Sequence, residues 1–211
     1  MSRRTDFLDT ARVAAALLRD PALARDWEKP SALPEFSVAG LAGHFAYQVL
    51  ALPAILDGPI PPELPVSLLE HYSRVEWVGA DLDHDLNVRI RDSGEQAATE
   101  GPAALADQVD AAIADLAGRL PGTPDRPVRI PFWGPWSLSL EDLLVTRMME
   151  LTVHADDLAV SIGVPTPEFP VSAVESVLDL LSRLALRRRG APAMLRALTR
   201  AERAPGDITA F

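Results

Sequence analysis

Arg147-Met-Met-Glu150-Leu-Thr-Val-His154-Ala-Asp-Asp157 sits inside an otherwise apolar run. A helix advances about 100° per residue, so Arg147, Glu150, His154 and Asp157 fall within roughly 80° of arc. Leu143, Leu151 and Leu158 share or flank that arc. Ionisable groups at the centre of an oily face are costly unless paired or bound to a metal. The Glu-x3-His spacing is i,i+4, which aims both side chains at one point. The stretch therefore predicts a long core helix carrying two-thirds of a three-ligand metal site.

Composition agrees with a helical domain. The 211 residues suffice for one well-buried core. With 48% apolar and 24% charged residues the chain reads as globular, and with only two Tyr and six Phe it favours helix over sheet. A formal net charge of -10 makes nucleic acid an unfavourable partner. The absence of cysteine excludes disulfides, thiolate ligands and a cysteine nucleophile, so any thiol chemistry needs a thiol cofactor. No run of 18 apolar residues and no signal-type start is found; no membrane span and a cytoplasmic location are the expectations. Lys29 is the single lysine among many arginines, a compositional hint of a GC-rich genome.

Prolines clustered at 30–34, 59–65, 121–135 and 165–170 divide the chain. Residues 5–26 are predicted as the first helix. Ser37 is the expected N-cap of a second, running to about Leu56, and Pro53 is expected to kink or end it. Residues 63–100 are expected to be helical with a break near Gly79 or Gly94. Pro102 opens another helix to about Leu120, with Leu105, Val109, Ile113 and Leu116 at helical spacing. Residues 127–136 read as extended or loop. Ser139-Leu-Glu-Asp142 is a capping-box-like start for the helix of the quoted stretch, which ends near Gly163. Residues 171–189 form a last long helix and 191–200 a short one. The sum is an all-α fold: a helical bundle over 1–165 and a C-terminal helical extension, 166–211, packed on the same domain.

Glu150 and His154 need a third ligand. Of the other histidines, His44 lies on or beside the apolar face of the second helix, whereas His71 and His84 lie in more polar contexts. Gly40 and Gly43 beside it cost helix stability, which implies a close approach there. Two imidazole nitrogens and one carboxylate around an open position form the donor pattern of a catalytic zinc site. Arg147 and Asp157 would pair with or orient the ligands from one turn either side. Trp133 and Trp136, on the loop before the site helix, would line a pocket. The same residues also fit a blander reading: hydrogen-bonded core histidines, a helix ion pair and tryptophans capping the core. Asp81-Leu-Asp83-His84-Asp85-Leu-Asn87 resembles a calcium loop but has Leu86 where the turn needs Gly, and reads as a solvated acidic face. Arg187-Arg-Arg189 suits the end of a helix dipole.

Ser37-Val-Ala-Gly-Leu-Ala-Gly-His44, followed by Thr146-Arg147-Met-Met-Glu150-Leu-Thr-Val-His154-Ala-Asp-Asp157, resembles the mycothiol-dependent maleylpyruvate isomerase N-terminal, metal-binding domain. The resemblance spans nearly the whole chain. It implies a DinB-like four-helix bundle, here with extra C-terminal helices, and a divalent metal, usually zinc, on His44, Glu150 and His154. It also implies mycothiol as thiol cofactor. The isomerase itself carries a further C-terminal domain that contributes to its site, and no full second domain is expected after the metal helix here.

Three functions are consistent with these residues. In the first, a metal- and thiol-dependent isomerase or S-transferase acts on a small electrophile. Arg147 pairs with Glu150 or Asp157 or holds a substrate carboxylate, and Trp133 and Trp136 wall the cofactor pocket. The second is a zinc-water hydrolase on the same scaffold. The third is a non-enzymatic helical binding protein with a structural or vestigial site. The expected partners are a small-molecule thiol and an electrophile, with no nucleic acid and no membrane; the chain is expected to be a monomer or homodimer.

Overall fold

Short-range signals in the chain set the helix starts. The computed structural model describes residues 2–130 and 133–211. Ser2 caps α1 (Arg3–Leu18) by accepting from the Thr5 N–H. Asp20 caps α2 (Pro21–Asp26), Ser37 caps α3 (Val38–Asp57) and Ser67 caps α4 (Leu68–Arg74) in the same manner. The next helices are α5 (Asp85–Ala97) and α6 (Pro102–Arg119), the latter opened by a proline in its first turn. Ser139 accepts from Asp142 N–H and starts α7 (Leu140–Ile162), which Gly163 ends in the left-handed conformation at φ 71°. Then follow α8 (Val171–Arg189) and α9 (Ala191–Thr199). The fold is all-α and DinB-like, with one two-stranded antiparallel ladder among the described residues, β1 (Pro127–Val128) with β2 (Leu138–Ser139).

Several elements depart from expectation. The first predicted helix is two, because Pro21 has no N–H to continue α1 and Asp20 restarts the chain as a cap. Pro53 does not end α3, which runs on to Asp57. In segment 63–100 the break falls around Gly79, at φ 75°, while Gly94 lies inside α5. Residues 127–136, expected to be extended or loop, begin with the extended pair of β1; Pro131 and Phe132 lie outside the described residues.

Helices α1, α6, α3 and α7 form a four-helix ring in that order, each packing on its two neighbours. End contacts set the directions. Arg3 and Arg4, at the start of α1, pair with Asp142 and Glu141 at the start of α7, so those helices are parallel. Arg19, past the end of α1, pairs with Asp107 and Asp110 early in α6, so α6 is antiparallel to α1. Ala32, before α3, donates to Ser161 at the end of α7, so α3 is antiparallel to α7. The parallel pair α3 and α6 needs a long return connection, and α4 and α5 supply it. Helix α8 packs on α7 and α1.

The core runs along the facing sides of the ring: Phe7 and Ala11, Leu41, Phe45 and Val49, Leu105, Val109 and Leu116, Leu143, Met148 and Leu151, all at most 1% exposed. Each large apolar side chain buried here contributes about 1.5–3 kcal/mol, which holds helices that would be marginal alone. Among the described residues α3 is the helix long and apolar enough to cross a membrane, yet 61% of its most apolar stretch is buried inside the fold. Its apolarity is that of a helix packed by α5, α6 and α7.

The expected close approach at Gly40 and Gly43 is the crossing of α5 over α3. A Cβ on Gly43 would overlap the Gly94 carbonyl, one on Gly94 would overlap the Gly40 carbonyl, and one on Gly40 would meet the Glu95 carboxylate. Ser37 Oγ donates to Glu95 Oε1 at 2.6 Å and ties the two helices together at the same end. This contact lies one residue from His44.

Candidate metal centre

Antiparallel α3 and α7 bring His44 to the level of Glu150 and His154. His44 Nε2 lies 3.4 Å and His154 Nε2 3.2 Å from Glu150 Oε2. Donor atoms of all three residues lie within 4.8 Å of one another. The two rings stand edge to face with centroids 5.0 Å apart. The three side chains are 14–17% exposed, enough for a small ligand to reach them. Asp157 Oδ2, one turn further along α7, accepts from His154 Nδ1 at 2.9 Å, which directs Nε2 at Glu150.

Electrostatics follow from burial against pairing. Burial pushes the His44 imidazole below its ordinary pKa, and the Glu150 hydrogen bond opposes this only in part, so His44 is neutral with a lone pair to offer. Burial alone would raise the Glu150 carboxyl; hydrogen bonds from His154 and His44 override it and hold the group well below the usual carboxylate range. Burial likewise disfavours charge on His154, but Asp157 and then Glu150 outweigh it and raise its pKa to about 9. A proton thus occupies the gap between His154 Nε2 and Glu150 Oε2.

This gap fits a cation. A tetrahedral zinc with bonds of about 2.1 Å keeps its donors roughly 3.4 Å apart, close to the separations above. Two imidazoles and one carboxylate suit zinc and similar divalent metals. Among the described residues no fourth histidine or carboxylate joins the group, an arrangement that leaves a coordination position for another ligand.

Arg147 does not take the partners expected of it. It is 5% exposed, donates Nη1 to Gln48 Oε1 and Nε to Thr146 Oγ1 at 3.1 Å, and lies with its guanidinium carbon 5.3 Å from the Trp133 ring centre. The cause is side-chain direction. Helical side chains lean toward the N-terminus, so Arg147 leans away from Glu150 and Asp157 and toward α3. Trp136 is buried and donates Nε1–H to His71 Nδ1 at 3.1 Å; Trp133 packs on His71 at a tilt of 52°, with ring centres 4.3 Å apart.

The polar sequence around His71 concealed a buried ring, 2% exposed, because Leu68, His71 and Tyr72 share the inward face of α4 while Glu70, Ser73 and Arg74 face outward. Burial, reinforced by the positive charge of Arg147, lowers the His71 pKa to about 4, so the ring is neutral. His71 is outside the candidate metal-ligand group. His84 accepts from Leu86 N–H and caps α5 in the acidic stretch. Gln48, a polar residue i+4 from His44 on an apolar helix, carries a sequence signal of a buried polar partner for that histidine. A cleft of about 450 Å³ lined by Asp6, Ser172 and Arg183, and one of about 410 Å³ lined by Tyr72, Val78 and Phe211, are not lined by the metal-site residues.

Comparison with known proteins gives one family: the model described as mycothiol maleylpyruvate isomerase N-terminal domain matches residues 7–159, which contain His44, Glu150 and His154. No curated protein and no solved structure matches the chain.

Proposed function

The chain belongs to the mycothiol maleylpyruvate isomerase N-terminal domain family, and from that premise we propose that His44, Glu150 and His154 hold one divalent cation, zinc by donor set, in a thiol-dependent isomerase or S-transferase. The observation that carries this reading is the meeting of three donor atoms from two helices within 4.8 Å. When bound, the cation supplies Lewis acidity that keeps a cofactor thiol as thiolate at neutral pH. Mycothiol is the thiol the family name indicates, and a chain without cysteine must obtain its thiol from outside. Asp157 holds the His154 ring so that Nε2 faces the cation. Trp133, half-buried above Arg147, is the candidate wall for the cofactor; Trp136 acts through its bond to His71. The cytoplasm is the proposed location.

Elemental analysis of the purified chain, followed by conjugation of a generic electrophile with and without mycothiol and zinc, tests the proposal. The expected result is metal bound to the as-purified or zinc-supplemented chain, and turnover that requires both mycothiol and the bound metal. Absence of metal from both as-purified and zinc-supplemented protein removes the proposal, and turnover without any thiol replaces it with hydrolysis.

Two further outcomes follow from the geometry. Asp157→Ala removes the acceptor of His154 Nδ1 and should weaken zinc binding about 10- to 100-fold, read by competition with a zinc chelator. Metal binding must also displace the His154 proton. Because that proton is held up to about pH 9, zinc affinity should rise by about tenfold per unit between pH 7 and 9 and level off above. Calorimetry in buffers of different ionisation heat would detect the released proton. A flat profile over that interval contradicts the assignment of His154.

A further inference from the structure

Gln48 is 1% exposed and lies one turn after His44 on α3. Its amide orientation follows from its partner. Arginine only donates, so Gln48 Oε1 must face Arg147 Nη1, and Nε2 must face His44. One N–H of Nε2 donates to the His44 carbonyl at 2.9 Å. The other reaches toward His44 Nε2 at 3.4 Å, the nitrogen that also lies 3.4 Å from Glu150 Oε2. A ring nitrogen carries one lone pair or one proton; it cannot serve Gln48, Glu150 and a cation together. Whether His44 Nε2 serves Glu150 or a cation, the second Gln48 N–H is a buried donor without an acceptor there, a costly state.

Resting on the metal reading above, we infer that this N–H is a built donor for a small anionic ligand, such as a thiolate, entering the remaining coordination position beside His44. Arg147 is then a positioning residue, which locks the Gln48 amide with its nitrogen toward the site. Charge favours an anion there. Among the described residues the partners of Arg147 are the neutral Gln48, Thr146 and Trp133. With neutral imidazoles, Glu150 and Asp157 offset a divalent cation, and the Arg147 charge is left for an incoming anion to balance. Such a charge acts strongly in a poorly hydrated interior.

The test uses the full chain loaded with Co2+ and titrated with azide or 2-mercaptoethanol, following the visible bands of the cobalt. Gln48→Met keeps the length of the side chain and removes both donors. Gln48→Glu keeps an acceptor for Arg147, removes the donors and adds a negative charge. Both variants should bind cobalt as tightly as the wild type or more so, because no donor is stranded. Azide should bind about tenfold more weakly to Gln48→Met and more weakly still to Gln48→Glu. Unchanged azide affinity in a cobalt-loaded variant overturns the inference. Joint loss of cobalt and azide binding also overturns it, because Gln48 would then merely prop His44. Should Gln48→Met fail to fold, Gln48→Glu carries the same comparison. A wild-type chain that takes up no cobalt removes the metal reading itself and this inference with it.

Discussion

Replacing Glu150 with glutamine is expected to abolish metal retention. The carboxylate is the shared acceptor of the cluster, 3.4 Å from His44 Nε2 and 3.2 Å from His154 Nε2. In the proposed site it is also the anionic donor that would offset part of a cation's charge; an amide keeps the shape and loses the charge. Loss of an orienting outer carboxylate alone costs metalloproteins about 10- to 100-fold in affinity, so loss of this direct donor should exceed about 100-fold. His154 should change as well. Its pKa is raised by Asp157 and Glu150 against burial, and with Glu150 neutral it should fall from about 9 toward the ordinary histidine value. Metal content per chain and an NMR titration of His154 read the two effects separately. The variant should remain folded, because α7 is held by Leu143, Met148, Leu151 and Leu158, all fully buried. A Glu150→Gln protein that purifies with wild-type metal content would refute the donor set.

The second large effect is steric. Gly43→Ala places a Cβ into the Gly94 carbonyl. The Cβ position is fixed by the α3 backbone and the carbonyl is main chain, so no rotamer change relieves the overlap, and α5 must move away from α3. Overpacking of this kind costs about 1–3 kcal/mol; at about 2–4 °C per kcal/mol for a chain of this size, the melting temperature should fall by about 2–12 °C. The control is Gly118→Ala in α6, where an added Cβ meets nothing within 4 Å. There alanine removes the flexibility penalty of a helical glycine and should stabilise by up to about 1 kcal/mol. Equal melting temperatures for the two variants would show that the α3–α5 contact is not close. Because Gly94 abuts the backbone nitrogen of His44, Gly43→Ala should also weaken zinc binding, by less than Glu150→Gln does.

Much of the fold was legible because its signals are local. A serine at 37 or 139 satisfies N–H groups two or three residues on, and proline at 102 and glycine at 163 mark helix ends through their own backbone preferences. The charged stripe on α7 was legible for the same reason, since residues three and four apart must share a helix face. The split at Pro21 is hidden in the sequence because an apolar pattern runs across the proline, whereas glycine marks the break around Gly79. Spacing left His71 among polar neighbours because it does not report how α4 is rotated; packing against Trp133 and Trp136 turns the ring inward.

By itself the sequence determined that a long apolar helix carries Arg147, Glu150, His154 and Asp157 on one side, and that caps and prolines divide the rest into helices around it. Tertiary structure alone decided that the His71 ring is buried against Trp133 and Trp136, that Arg147 turns to Gln48 instead of a carboxylate, and that α5 is the element that meets the glycines of α3. The reason is range. Periodicity and capping act within a turn or two of chain, whereas partners on separate helices are set by the direction, rotation and spacing of whole elements, which only the packed core determines.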